Sequence, residues 1–361
     1  MARNDQLSST RPIVDRGVKH VVLGNLLFKT WFHSIYPEEL VGKDTDRLYV
    51  CRWCFRYTSD VSAHVGHTRH CKLRTMPAGL KVYDHSGYAV WELDGEDHKL
   101  FAQNLSLFAK LFLDHKSVFF DVTSFLYYIL TFTDPDDPEN YYVLGYFSKE
   151  KLSWDANNLA CILIFPPYQH KQLGKLLMGV SYKLSAWEWE GGFIGGPERP
   201  LSEMGRRSYA RFWEERIARY FLLGPPGGNP DEFVQQKQTV VKTAKRRPVR
   251  EQMTVRGIGS ATGMLNEDVL TALKGMGVVE PAPATKKRKR AASSIDDADE
   301  RMERVVIRKS NVLEWAKIHG VTLRDPVKEE GFLGEWAPEY MQQKQEEDEE
   351  EEEDDEEDDD E

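Results

Sequence analysis

The chain is 361 residues long, with 40% hydrophobic and 30% charged residues, so it can bury one or two sizeable cores. No apolar run approaches the roughly 18 residues that a membrane span needs, and MARNDQLSSTRPIVDRG at the start lacks the apolar centre of a signal peptide, which leaves an intracellular protein without a membrane segment as the expectation. The formal charge of -11 conceals two unlike parts, because all 16 residues from 346 to 361 are acidic and the rest of the chain carries a balance of +5.

In chain order, residues 1–17 read as a disordered N-terminus. Residues 18–100 read as a hairpin region, in which short apolar runs (HVVLGNLLFKTWF, RLYVC, LKVYDHSGYAVWEL) alternate with turn signals. NLSLFAKLFLDHK, residues 104–116, puts Leu105, Phe108, Leu111 and Phe112 at helical spacing and closes on basic residues, which predicts a helix ending at Lys116. Strands are predicted at VFFDV (118–122), YYVLGYFSKE (141–150) and NNLACILIF (157–165), the last being the most apolar, with a helix over 175–187 after it. This series implies an α/β core of the α+β kind over residues 101–224.

Composition shifts after Leu223. Residues 225–250, with GPPGGNP and KTAKRRPVR, read as a linker, and residues 251–337 as a small helical region with two short helices within 253–279 that resumes at RVVIRKSNVLEWAKIHG. A basic insert low in apolar residues, 281–300, reads as disordered and carries KKRKR, a candidate nuclear import signal. Residues 338–361 read as a disordered acidic tail, which either solubilises the chain or attracts basic partners.

Only four cysteines occur, three of them within 21 residues, which in a reducing compartment suggests a metal site more than a disulfide framework. Cys51, Cys54, His67 and Cys71, in CRWCFRYTSDVSAHVGHTRHC, make C-x2-C-x12-H-x3-C. A knuckle supplies two thiolates, and a helical turn puts an imidazole and a third thiolate on one face. Four such ligands with no open position describe a structural Zn2+ site, whose metal would supply folding energy to a hairpin region too small to hold itself. His64 and His70 compete with His67, although His67 alone stands at i, i+4 to Cys71. One finger in a net-acidic chain neutralises few phosphates, so no strong autonomous DNA binding is expected.

IFPPYQHKQLGKLLMGVSYKLSAW, residues 164–187, runs from a strand through a turn into a helix beginning near Gly174. Unpaired N–H groups at such a helix start aim at one spot, with the helix dipole behind them and His170, Lys171 and Lys175 nearby. The loop suits a phosphate-bearing cofactor or is an ordinary β-α turn. Neither G-x4-G-K-[ST] nor G-x-G-x-x-G occurs, so a P-loop or dinucleotide fold is not indicated.

AQNLSLFAKLFLDHK, GYFSKEK, NNLACILIFPPYQHKQLGKLLMGVSY and GGPERPLSEMGRRSYARFW together resemble the MYST-type histone acetyltransferases, which carry a zinc motif in the same place. FKTWFHSIYPEE and MPAGLKVY match that family's approach to the finger and exit from it. The resemblance covers residues 20–224, is looser over 251–337, and is greatest to the Sas-type ("something about silencing") branch, through the single-glycine loop and GVSYKLSAWEWEGGFIGGPERPLSEMG. It implies a GNAT-like acetyl-CoA-binding core, an N-terminal C2HC zinc-finger region and a helix-turn-helix or winged-helix-like C-terminal region. The implied activity is acetyl transfer from acetyl-CoA to a histone-tail lysine, commonly lysine sixteen of histone H4, in chromatin silencing or transcription regulation in the nucleus. Histones or nucleosomes and further subunits of a complex are the implied partners.

By the same match Glu198, between Pro197 and Arg199-Pro200, is the general base; without the match it reads as a solvated loop residue. A substrate lysine of pKa about 10.4 is only about 0.1% neutral at physiological pH, a cost of roughly 4 kcal/mol that a positioned carboxylate offsets. Cys161 matches the active-site cysteine, either as an acetyl acceptor or as a packing neighbour while the lysine attacks directly in a ternary complex. Direct attack is favoured, because an apolar strand raises a thiol's pKa. Lys116 matches a lysine that becomes autoacetylated in the family, and otherwise reads as a cation at a helix C-terminus. Ile162, Leu163 and Ile164 would present backbone to the acetyl and pantetheine arm, and Ser202 matches a further cofactor contact. Gln169, His170, Lys171, Gln172, Leu173, Gly174 and Lys175 would cradle the pyrophosphate. Two departures stand out. Gln172 replaces a usual glycine, so a left-handed backbone there costs about 1 kcal/mol or more, and Arg211 replaces a serine that contacts the cofactor in many members. The alternative reading is a chromatin-binding subunit that keeps the fold with weak or no catalysis; intact Cys161 and Glu198 favour the enzyme.

Overall fold

The computed structural model describes residues 17–42, 44–153, 155, 157–188, 195–224, 250–280, 304–341 and 343. The expected N-terminal disorder, nearly all of the linker, the basic insert with KKRKR and the acidic run of the tail lie outside these residues.

The chain begins with a four-stranded sheet in the order β2-β1-β3-β4, from β1 (His20–Leu23), β2 (Leu26–Lys29), β3 (Arg47–Val50) and β4 (Tyr57–Thr58). Asp60 then caps α1 (Val61–Arg69) by accepting the amides of Ser62 and Ala63 at 2.7 and 3.3 Å. These donors would otherwise lack an acceptor at the helix start. The main sheet is antiparallel throughout. It takes β5 (Leu80–His85), β6 (Tyr88–Asp94), β7 (Phe125–Asp134), β8 (Asp137–Glu150) and β10 (Cys161–Ile164) in the order β10-β8-β7-β6-β5, while β9 (Asn157–Leu159) leaves it.

Side chains alternate across a strand, and both faces of this sheet are covered. Tyr127 and Ile129 join a core with α2 (Lys99–Lys110) and the zinc-motif region, whereas Tyr128 and Leu130 join another with α3 (Leu173–Trp187). On the first face Phe55 adopts a φ of 58° directly after Cys54. Its ring sits 5.5 Å from that of Phe108 on α2 and 5.7 Å from that of Phe165, which follows β10. On the second face α3 presents Leu173, Leu177, Val180 and Leu184, the i, i+4, i+7, i+11 stripe of an amphipathic helix.

After β11 (Gly196–Pro197) and α4 (Glu203–Leu223) comes a smaller unit of β12 (Arg250–Thr254), α5 (Val255–Thr262), α6 (Asn266–Met276), β13 (Val279–Glu280), β14 (Arg304–Arg308) and α7 (Lys309–Ile318). Its antiparallel sheet has the order β12-β14-β13, and its apolar residues pack on Phe212, Trp213 and Phe221 of α4. The chain then returns to the main sheet, where Val327 and Phe332 join the second face and the amide of Leu333 donates to the Val82 carbonyl at 3.0 Å.

Several sequence expectations need correction. The helix predicted over 104–116 spans Lys99–Lys110, and Leu111 and Phe112 bury their side chains beyond its end, which preserves the apolar spacing without the helix. VFFDV forms no strand. Val122 instead accepts the amide of Phe125 in a turn, and the ladder begins at Phe125. The single strand predicted over 157–165 divides at Ala160 into β9 and β10. The helix predicted from 175 begins at Leu173. Among the described residues no helix is long and apolar enough to cross a membrane.

Because Phe55 is fully buried between α2 and Phe165, Phe55→Ala should leave the metal ligands intact yet destabilise the protein by about 3–5 kcal/mol. Urea unfolding of the two proteins checks this expectation.

Candidate active site and metal centre

Local backbone geometry gathers the four predicted ligands. The knuckle closes when the Phe55 amide donates to the Cys51 carbonyl at 3.0 Å, and α1 carries His67 toward it. One ligand atom from each of Cys51, Cys54, His67 and Cys71 lies within 4.8 Å of the others, and Cys54 Sγ is 3.1 Å from His67 Nε2. Three sulfurs and an imidazole nitrogen at this spacing fit the closed tetrahedral shell of a structural metal ion. His64 is buried near the centre but outside this group; His70 is exposed, with its ring nitrogen 3.1 Å from the Gly66 carbonyl.

The second site forms where the apolar strand divides. Ala160 donates its amide to the Ser148 carbonyl at 2.7 Å, and β10 continues antiparallel along β8. β9 instead pairs in parallel with β11, and the Glu198 amide donates to the Leu159 carbonyl at 2.7 Å. Glu198 is thereby tied two residues from half-buried Cys161. Gly145 on β8 permits the close pairing of β10, since a Cβ there would meet the Leu163 carbonyl and lie 2.9 Å from Ile164 Cα. Beyond β10 the main sheet has no further strand among the described residues, so β10 is an edge strand, and the Ile164 carbonyl on it accepts from a side chain, Gln169 Nε2.

Lys116 faces this division. Only 5% exposed and six residues beyond the end of α2, it is not a helix-terminal cation, as one sequence reading had it. Burial holds its pKa below the ordinary lysine value, an effect that nearby Cys161 and Glu198 oppose. Glu198 is raised above the ordinary carboxylate value, first by partial desolvation and then by Glu150, with Lys116 opposing.

The loop after β10 makes a turn at Pro166–Tyr168, then passes through His170 and Gln172, both at φ 63°. Gln172 caps α3 with a left-handed backbone, as the departure from glycine implied. His170, Lys171 and Gln172 are exposed, and a Cβ on Gly174 would meet nothing within 4 Å among the described residues. Gln169 turns inward and donates from Nε2 to the Ile164 carbonyl at 2.8 Å. Lys175 points elsewhere, donating to both carboxylate oxygens of buried Glu215 at 2.7 and 2.8 Å. Arg211 shares that carboxylate at 2.9 Å, donates to the His319 carbonyl and lies over the Trp315 ring, so its guanidinium serves α7. Ser202 caps α4, accepting the Gly205 amide at 3.1 Å. Sequence reasoning passed over Glu215 and Glu150. The i, i+4 spacing of Arg211 and Glu215 was a visible signal for the first; nothing local pointed Glu150 toward Glu198.

Comparison with known proteins bears on both sites. A model described as "MOZ/SAS family" matches residues 76–313, and one described as "MYST family zinc finger domain" matches residues 16–71. The chain is 37% identical over 257 residues to the histone acetyltransferase MOF of Drosophila melanogaster, covering 71% of this chain and 27% of that protein. It is 35% identical over 259 residues to the histone acetyltransferase Tip60 homolog of Caenorhabditis elegans, covering 72% and 50%, and 33% identical over 261 residues to histone acetyltransferase ESA1 of Gibberella zeae, covering 72% and 46%. The matched region thus spans half or less of each of these curated relatives.

Elemental analysis of the purified chain is expected to find one zinc per molecule. Cys71→Ser should lose most of it and lower the thermal midpoint, because the knuckle is continuous with the Phe55 core. A metal-free chain with an unchanged midpoint would remove the structural role.

Proposed function

The chain belongs to the MOZ/SAS family, and on that premise we propose that it transfers acetyl from acetyl-CoA to a lysine of a histone tail. The parting of β9 from β10 is the observation that supports this reading most, since it leaves a free strand edge beside Glu198, Cys161 and Lys116. The outer edge of Ile162–Ile164, where Gln169 already occupies the Ile164 carbonyl, would receive the pantetheine amide groups, and the start of α3 with exposed His170 and Lys171 would receive the phosphates. Lys175 would act indirectly there, because Glu215 holds its charge. The four zinc-motif residues would hold Zn2+, which supplies folding energy rather than chemistry.

Glu198 is the base in this reading. Its carboxylate takes a proton from the incoming lysine ammonium, the neutral amine attacks the thioester carbonyl, the C–N bond forms, and the C–S bond breaks as the amine's second proton passes to the departing sulfur, which leaves an amide and the free thiol. Raising the carboxyl's pKa, through desolvation and the neighbouring Glu150, strengthens it as a base. Cys161 packs beside the thioester, and buried Lys116 is a residue for autoacetylation. The Sas-type branch, the lysine sixteen of histone H4 as target, a role in silencing, nuclear location and partner subunits all belong to this proposal. MOF, Tip60 and ESA1 are named as histone acetyltransferases, which supports histones as the substrate class.

Transfer of labelled acetyl to recombinant histones H3 and H4 tests the proposal. Glu198→Gln should lower kcat by about 10²-fold or more. In the native chain kcat should fall as pH drops through the raised pKa of Glu198, since protonation removes the base, and the glutamine variant should lose that acid limb. Peptide mass spectrometry should find the label on a histone lysine and on Lys116. No transfer by folded, zinc-loaded chain that still binds acetyl-CoA would favour the non-catalytic reading or an obligatory partner.

Cys161→Ala at saturating acetyl-CoA should retain most of the activity. A loss of about 10²-fold or more would instead require the thiol as an acetyl acceptor.

A further inference from the structure

Residues 195–200, which carry Glu198, touch two separate parts of the molecule. On one side they follow β9, through the Leu159 carbonyl. On the other they meet the start of α6: Gly195 forms a bridge with Met264, and a Cβ on Gly196 would lie 2.9 Å from Asp268 Oδ2 and 3.0 Å from Leu265 Cδ1. The residue after Glu198 joins the two. Arg199 donates from Nη2 to Asp268 Oδ1, its Nε lies 3.0 Å from Glu267 Oε1, and its guanidinium lies over the Trp213 ring at 6.0 Å.

We infer that Arg199 and Asp268 form a clamp through which the C-terminal unit positions Glu198, so that Arg199 and Asp268 are positioning residues for the acetyl-transfer reaction. This inference rests on the reading of Glu198 as the base. Its physical ground is the burial of Asp268, whose side chain is 0% exposed and whose Oδ2 has no hydrogen-bond partner among the described residues. A buried carboxylate without a paired cation is strongly disfavoured, and Arg199 is the one cation paired with it among the described residues. Swinging the Glu198 loop outward would break that pair. The surrounding titratable groups are Glu267 on the same helix, Tyr182 on α3 and Tyr209 on α4. Burial pushes the Asp268 pKa up to about 6 against the pull of Arg199, so the carboxylate is ionised and the clamp engaged at neutral pH.

Hydrogen exchange and steady-state kinetics on the full chain test this together. Asp268→Asn keeps the shape and removes the charge; Arg199→Lys keeps the charge and removes the fork. At neutral pH the Glu198 amide should exchange about tenfold faster in Asp268→Asn, with β7 and β8 unchanged. kcat should fall about tenfold with KM for acetyl-CoA unchanged, and Arg199→Lys should be intermediate in both readouts. Unchanged exchange in Asp268→Asn overturns the clamp. Faster exchange with native kcat, while Glu198→Gln is inactive, overturns positioning and leaves the base standing. Native kcat in Asp268→Asn and Glu198→Gln alike overturns the base, and positioning with it. If the native chain transfers no acetyl, the functional reading fails and the exchange measurement alone decides the clamp. Should Asp268→Asn fail to fold, Arg199→Lys carries both measurements.

Discussion

An apolar strand can follow only one neighbour on each edge, and the division at Ala160 is where this chain resolves two competing partners. β10 stays with β8, and β9 turns to β11. Neither path is left to chance. Gly145 admits the close approach of β10, and Ser181 on α3 donates to the Asn158 carbonyl at 2.7 Å, which ties β9 to that helix. The candidate site exists because of this divergence, since it opens a strand edge and brings the Glu198 loop alongside it.

The zinc motif and the candidate acetyl-transfer site lie on one continuous core. Phe55 leaves the knuckle in a left-handed conformation and enters the cluster around Phe108 and Phe165, and Phe165 is the first residue after β10. A metal ion that orders the knuckle therefore also supports the strand along which the cofactor would lie. Its influence passes through packing, because interiors are dense enough to transmit displacement.

The opposite end of the site is held by ion pairs built on two buried carboxylates, Glu215 and Asp268. Glu215 gathers Lys175 and Arg211, tying α3 to α4, and Arg211 reaches on to α7. Asp268 gathers Arg199 and ties the Glu198 loop to α6. Both carboxylates are buried, so the loss of its cations would leave each an uncompensated buried charge. The departure at Arg211 thus has a structural role in this chain, as a link between the main sheet's helices and the C-terminal unit.

What the sequence determined by itself was local. The four ligands were legible because a knuckle and one helical turn span few residues, and α3 was legible because its apolar stripe repeats at helical spacing. The resemblance to a family also located the residues that meet at the strand division. Tertiary structure decided what the chain could only show by closing on itself. The apolar run over 157–165 looked like one strand because apolar spacing carries no information about which neighbour each half will choose. Lys116 looked like a helix cap because the same spacing continues past Lys110, where the helix stops and the side chains bury anyway. Arg199 and Asp268 are 69 residues apart, and no local rule pairs them. Their partnership, like that of Lys175 with Glu215, follows from the need to neutralise a buried carboxylate, and burial is fixed only when distant elements pack.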